Sequence, residues 1–305
     1  MKIKSIIAAP LLLLTIMLLS ITVGIIPKEV LGLDTNPYLS TVILQLIIFA
    51  LPALFFCTLR GSGYVSSLRI RVPSPSSALI MIFVLLLMIS GGSLIEYTVS
   101  ALSNGGAGSQ SIEYAAFAAS SSLFDKMYII LVFALLPAIT EEIIFRGIIL
   151  TEYSAVGIGC SVFMSSVMFA LSHFNPYHLP LYFFCGLLLA VLTYATRSVT
   201  AAMIVHALYN IFIIFFENYI VHISEKQNIS GILFVIILAA VAIISAAVAA
   251  FEISAVYRGY ARNNIPSDYV PKKKKGFFAG TAASVLSPAF IILTVVYIIA
   301  VLIGK

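Results

Sequence analysis

The sequence predicts an all-α protein: a bundle of transmembrane helices that crosses a membrane about eight to nine times. Composition is the first reason, because 61% of the 305 residues are hydrophobic, only 10% are charged, and the mean hydropathy is +1.12. A soluble domain is about 45–50% apolar and about 25% charged. The second reason is that apolar runs of about 20 residues, the length that spans a bilayer, recur along the whole chain. The third is that basic residues lie in the short gaps between these runs.

Nine apolar runs have roughly the length of a span. They are Ile6–Ile26, Thr41–Thr58, Ala78–Val99, Met127–Leu150, Ala155–Ser172, Leu179–Ala195, Val199–Ile220, Ile232–Ala255 and Phe277–Ile303. We divide the chain into three parts. Residues 1–126 hold the first three spans and a loop rich in Gly and Ser, 127–218 hold four successive spans that carry most of the notable polar residues, and 219–305 hold the last two spans with a basic loop.

The distribution of basic residues predicts the orientation of the bundle. With the N-terminus in the cytoplasm, inner segments carry twelve of the 17 Lys and Arg residues and outer segments carry four, while Arg146 lies within a span. An excess of Lys and Arg marks the cytoplasmic side. We therefore expect an integral, multi-pass protein of the cell membrane with a cytoplasmic N-terminus. The net charge of +5 follows from this bias, and we expect no binding of nucleic acid.

Three cysteines, Cys57, Cys160 and Cys185, occur in apolar runs. Their odd number and wide separation are unlike a disulfide framework or a set of metal ligands. We expect them to act as small apolar side chains.

Three ionisable residues interrupt the fourth run. Each charge in the middle of a membrane helix costs about 2.5–3.5 kcal/mol on insertion scales, so such residues need a partner or a chemical use. Glu142 and Arg146 are four residues apart, share one helix face and can form a structural ion pair. Glu141 points about 100° away from its neighbour and is left for a different role.

Two histidines and an asparagine occupy the runs that follow. His173 ends the fifth run, and His206 and Asn210 lie four apart in the seventh. A lone histidine in a membrane helix more often makes a hydrogen bond between helices than catalyses a reaction. The combination of both histidines with the asparagine and an unpaired glutamate favours chemistry. We interpret His178 and His222, in loop-like positions, as bystanders.

These residues form three motifs in order, Glu141–Arg146, Phe169–His173 and His206–Asn210. The pattern Glu-Glu-x-x-x-Arg, Phe-x-x-x-His and His-x-x-x-Asn on successive hydrophobic segments resembles the CPBP family of intramembrane proteases. This family comprises the type II CAAX prenyl endopeptidases and the bacteriocin-processing or Abi proteins. The resemblance covers approximately residues 127–217.

The resemblance implies a peptide-bond hydrolase whose active site lies inside the bilayer. Glu141 matches the glutamate that activates water, and His173 and His206 match the histidines of the family's site. Asn210 matches an oxyanion stabiliser, and the Glu142–Arg146 pair matches supporting positions. The implied substrate is a lipidated CAAX-type peptide or a leader-bearing peptide associated with the membrane, with membrane lipid as the surrounding partner.

The cofactor stays open at this level. The family has been described both as metalloproteases and as glutamate-dependent proteases without a catalytic metal. Amide hydrolysis needs a base for water and donors for the oxyanion, and a glutamate with a histidine or asparagine can supply these without metal. Alternatively, Glu141, His173 and His206 could hold zinc, with a fourth position open. The oligomeric state is not indicated by the sequence.

Two further expectations concern function and geometry. A different class of protein, an ion- or proton-coupled transporter, would also use buried Glu and His residues, although no inverted repeat is visible. In depth, Glu141 and His173 lie equally far from the expected turn at Gly157, about 24 Å at 1.5 Å per residue. His206 lies only about 14 Å from the turn at Arg197, and this mismatch of about 10 Å requires a tilted helix, unequal boundaries or a broken helix.

Overall fold

The structure is a computed structural model that describes residues 4–26, 37–103, 122–216, 231–264 and 276–304. Regular structure in these ranges is helical, which confirms the predicted all-α class. The helices are α1 (Ser5–Ile25), α2 (Leu39–Arg60), α3 (Ala78–Leu102), α4 (Leu123–Ser154), α5 (Ile158–Leu171), α6 (Leu179–Thr196), α7 (Val199–Phe215), α8 (Gly231–Arg262), α9 (Phe277–Val285) and α10 (Pro288–Leu302). The four-lysine run, His222 and most of the loop before α4 lie outside the described residues.

Each of the nine predicted runs corresponds to one helix or to one bent pair of helices. Six helices in the described residues are long and apolar enough to cross a membrane, namely α1 to α4, α6 and α8, and the pair α9–α10 brings the number to seven. Helices α5 and α7 are apolar but have only 14 and 17 residues. At 1.5 Å per residue they measure about 21 and 26 Å, less than the roughly 30 Å of a hydrocarbon core.

Helices α2 and α4 contain widened, π-helical turns. Two of these, Leu46–Ala50 and Ile130–Leu135, end just before Pro52 and Pro137. Proline has no N–H, and its ring crowds the carbonyl four residues earlier, so the preceding turn opens. A third such segment, Ile143–Ile149, directly follows the paired glutamates. Turns of this kind occur frequently at functional sites.

The last predicted span is broken rather than continuous. Helices α9 and α10 meet at an angle of 62°. Pro288 starts the second helix because it cannot continue the first. The Ser287 hydroxyl caps the new helix by accepting a hydrogen bond of 3.3 Å from the Phe290 N–H. The single straight span Phe277–Ile303 is therefore corrected to a bent pair.

The turns beside the polar residues are where the sequence placed them. Gly157 has φ of 151° between α4 and α5, a conformation that favours glycine. Residues 172–178 form the irregular connection between α5 and α6. The Asn175 Oδ1 accepts hydrogen bonds from the N–H groups of Tyr177 and His178, at 3.1 and 3.3 Å. This connection brings non-helical backbone close to the core of the bundle.

Close helix packing holds α4 in the middle of the motif-bearing helices. Helix α7 contacts α4 along much of the length of α4. Helix α5 contacts the C-terminal half of α4. Helix α3 packs along α8 and reaches α6 and α7 across two glycines. A Cβ on Gly91 would lie 2.6 Å from the Phe184 ring, and one on Gly92 would lie 2.6 Å from the Tyr209 hydroxyl. Small residues allow such approach where membrane helices cross.

Candidate active site

The charged residues of α4 form the predicted ion pair. Arg146 Nη1 lies 2.6 Å from Glu142 Oε1, and neither side chain has any exposed area. Arg146 Nη2 donates a second hydrogen bond, of 3.0 Å, to the carbonyl of Gly186 on α6. The guanidinium is thus fixed in direction by groups on two helices. Glu142 Oε2 is buried and has no hydrogen-bond partner within the described residues.

A histidine from α7 joins this pair. His206 Nδ1 lies 2.9 Å from Glu142 Oε1 and donates its proton to the carboxylate. The depth mismatch counted for His206 is therefore resolved, because the histidine is level with the glutamates. The estimate assumed 1.5 Å per residue and equal boundaries for every span. The widened turns of α4 and the short helix α5 violate both assumptions.

The Phe169 ring, near the end of α5, contacts three members of the site. The Arg146 guanidinium carbon lies 4.5 Å from the ring centroid. The rings of His173 and His206 meet it edge-on, with centroids 4.8 and 5.8 Å away. Arginine over an aromatic face is attracted by the ring quadrupole. Phe169 therefore brings the groups of three different helices and of the connection after α5 into one cluster.

His173 lies just after α5, and its ring orientation is fixed from two sides. Its Nδ1–H donates a hydrogen bond of 2.8 Å to the Phe169 carbonyl. The ring stacks on Tyr182 of α6 with a centroid distance of 3.8 Å and an interplanar angle of 18°. The Nε2 atom of His173 makes no hydrogen bond to the described residues, and the same holds for His206.

Glu141 and Asn210 complete the set that the motifs predicted. The Glu141 side chain is half-buried, and its carboxylate interacts electrostatically with His206 and with the Glu142–Arg146 pair. It makes no hydrogen bond or ion pair with a described residue. Asn210, one turn after the α7 histidine, donates a 3.4 Å hydrogen bond from Nδ2 to the Ala134 carbonyl on α4.

A second carboxylate–histidine pair, absent from the sequence interpretation, lies nearby. His178 Nε2 is 3.0 Å from Glu96 Oε1 on α3, and the histidine is only 4% exposed. His178, interpreted as a bystander in a loop, does lie in the connection before α6, and there it is buried and paired. Its ring also lies 6.3 Å from the Tyr182 ring that supports His173. The sequence signal for this pair was Glu96, an isolated glutamate inside a predicted span.

The zinc alternative stays a prediction. Within the described residues, no group of three or more His, Cys, Asp or Glu side chains is arranged to hold a metal ion. Glu141, His173 and His206 all belong to this part of the chain. The Nδ1 atoms of both histidines donate hydrogen bonds, and this arrangement leaves each Nε2 atom, through which a histidine can bind a metal, without a described partner. We derive no step of the chemistry through a metal.

Comparison with known proteins gives one match. Neither the curated proteins nor the solved structures contain a match to this chain. Residues 123–212 match a family model described as "Type II CAAX prenyl endopeptidase Rce1-like". This range holds all six residues of the predicted site. The match confirms the resemblance that the three motifs indicated: the site-bearing part of this integral, multi-pass membrane protein is similar to the Rce1-like endopeptidases.

Proposed function

We propose that the protein is an intramembrane endopeptidase that hydrolyses a peptide bond in a lipidated CAAX-type or leader-bearing peptide. One observation carries this proposal. Two histidines from different elements meet at one aromatic ring beside a buried glutamate–arginine pair, inside the segment that matches the endopeptidase family. The transporter alternative receives no support from that match, and we do not pursue it.

Glu141 is the proposed general base. Its carboxylate has no hydrogen-bond partner among the described residues and lies in an apolar bundle, where it is available to accept a proton from water. A positioned carboxylate that takes a proton in the transition state contributes about 10²- to 10⁴-fold to the rate. His173 would orient the same water. Because its Nδ1–H is used by a carbonyl, the neutral ring presents Nε2 as an acceptor.

His206 and Asn210 are the proposed oxyanion stabilisers. The Nδ1–H of His206 is held by Glu142, so Nε2 is the atom left for the substrate. Its protonated form donates a hydrogen bond from Nε2, and the four ionised groups of the site then sum to zero charge. One amide hydrogen of Asn210 is used by Ala134, and the other is the second donor. Donors aimed at a developing oxyanion stabilise it strongly in a water-poor site.

The proposed sequence of steps balances without a cofactor. Water loses a proton to Glu141 as its oxygen attacks the scissile carbonyl carbon. The carbonyl π electrons move to oxygen, which is held by the two donors. Collapse of this intermediate breaks the carbon–nitrogen bond, and the proton passes from Glu141 to the leaving amine. The glutamate is then ready for a second turnover.

The test is cleavage by purified full-length protein in detergent. The substrates are a prenylated peptide with a CAAX sequence, its unprenylated form, and a leader-bearing membrane peptide. We expect Glu141→Gln to lower kcat by about 10²- to 10⁴-fold. The melting temperature should not fall, because this carboxylate has no hydrogen-bond partner among the described residues to lose. His173→Ala and His206→Ala should also lose activity.

Glu252→Gln on α8 is the matched control. This glutamate is also half-buried in a membrane helix, and it lies outside the segment matched by the family. Its replacement should leave kcat within twofold. Full cleavage by the Glu141→Gln protein would rule out the proposed base. Cleavage of the leader peptide alone would decide between the two substrate classes.

A further inference from the structure

We propose that a cavity at the arginine-rich end of the bundle binds the phosphate of an anionic phospholipid headgroup. The cavity has a volume of about 430 Å³. One wall is the connection between α2 and α3, which includes Arg69 and Arg71, and the other is the last turn of α4, with Thr151 and Ser154. The proposal concerns a site separate from the histidine cluster and does not depend on the proteolytic function.

The charge around the cavity favours an anion. Arg60, Arg71 and Arg197 lie with Arg69 at the same end of the bundle. Arg71 Nε donates a 2.6 Å hydrogen bond to the Arg197 carbonyl, and Arg60 pairs with Glu152, which lies next to Thr151 in the last turn of α4. Among the described residues of this cluster, four arginines and one glutamate sum to a net charge of +3. A cationic cluster at the membrane boundary attracts anionic lipid.

The glutamate of this cluster is held by two hydrogen-bond donors. Glu152 accepts hydrogen bonds from Arg60 and, at 2.6 Å, from the Tyr64 hydroxyl. Burial and the Glu152 carboxylate raise the pKa of the Tyr64 phenol, which therefore stays a neutral donor.

The hydroxyl groups of the cavity point to the same ligand. Ser66, Ser67 and Ser154 donate their protons to backbone carbonyls at 2.6–2.8 Å. The Thr151 hydroxyl, in contrast, is buried and has no hydrogen-bond partner within the described residues. A buried hydroxyl without a partner costs free energy unless a ligand or water satisfies it. A phosphate oxygen is an acceptor that both a hydroxyl and a guanidinium recognise.

Apolar residues beside the cavity favour a lipid over a soluble anion. Val65, Ile70 and Val72 are 58%, 49% and 86% exposed on the same connection. An apolar side chain next to arginine suits the boundary between acyl chains and headgroups, where both kinds of surface are satisfied. A headgroup held by Arg69 and Arg71 would leave its acyl chains against these side chains.

The experiment measures lipid binding to full-length protein in a neutral detergent by native mass spectrometry. The probes are phosphatidylglycerol and phosphatidylcholine with identical acyl chains. We expect tighter binding of phosphatidylglycerol, weakened about fivefold by Arg69→Gln and about 25-fold when Arg71→Gln is added. Arg258→Gln is the matched control, because it removes the same charge from an exposed position on α8. That control should change binding less than twofold.

Thr151→Val separates ligand binding from folding. The change removes a hydroxyl that has no partner in the described structure, so the melting temperature without lipid should not fall. We expect about fivefold weaker binding of phosphatidylglycerol. Equal loss in the Arg258→Gln protein, or equal affinity for both lipids, would overturn the proposal. Inorganic phosphate should compete only weakly, and binding of phosphate as tight as that of the lipid would overturn the assignment to a headgroup.

Discussion

Replacement of Arg146 by methionine tests whether the buried ion cluster supports the fold as well as the site. The change removes the 2.6 Å bond to Glu142, the 3.0 Å bond to the Gly186 carbonyl and the contact with Phe169. Among the described residues, it leaves a fully buried carboxylate with His206 as its remaining hydrogen-bond partner. Breaking a buried pair in this way costs about 3–5 kcal/mol. The unfolding equilibrium should therefore shift by roughly 150- to 4,000-fold.

The double variant Glu142→Met with Arg146→Met separates stability from activity. Apolar residues of similar volume often replace a buried pair without loss of stability. The His206 N–H loses its acceptor, so recovery should fall short of wild type by about 1–3 kcal/mol. Cleavage should stay absent, because the imidazole is no longer oriented. Unfolding is followed by thermal denaturation and by titration with SDS, with Arg258→Met as control. Wild-type stability of the Arg146→Met protein would refute the reasoning.

Two further predictions concern side chains that position the site. Gly186→Ala should destabilise the protein by about 1–3 kcal/mol, because the new Cβ would lie 3.1 Å from the Cα of Ser166 on α5. Gly259→Ala is the control: its new Cβ would meet no atom within 4 Å, so the same melting experiment should show no loss of stability. Tyr182→Leu removes the ring stacked on His173 and should lower kcat about tenfold with little change in KM. A kcat equal to that of the wild-type protein would show that the stack does not orient the histidine.

The positions of the helices were predictable because each apolar run is long enough to define a span. The turn at Gly157 was expected, and the interval between the runs that end at Ser172 and begin at Leu179 placed the break between α5 and α6. The bend before Pro288 was missed, although proline was a visible signal there. The widened turns of α4 depend on how the chain relaxes around Pro137. The hydropathy pattern does not predict such local backbone geometry.

Within the site, contacts that follow from helix periodicity were predictable and contacts between helices were not. Glu142 and Arg146 pair because residues four apart share a face. The bond from His206 to the same glutamate depends on how α7 packs against α4, and a count of residues along straight helices misplaced it. The pair of Glu96 and His178 joins residues 82 positions apart. A search for isolated charges in apolar runs would have found one half of it.

The two candidate catalytic histidines share one packing partner, the ring of Phe169. His173 follows α5 and His206 lies on α7, so relative movement of the two helices would ordinarily change the distance between the two rings. Both rings instead rest against one rigid aromatic side chain. Displacement of either helix should then move both rings in the same direction. The distance between the two histidines would stay constant, and with it the space proposed for the peptide bond. Evolution of a new substrate preference could therefore reshape the surrounding walls without disturbing the spacing of the histidines.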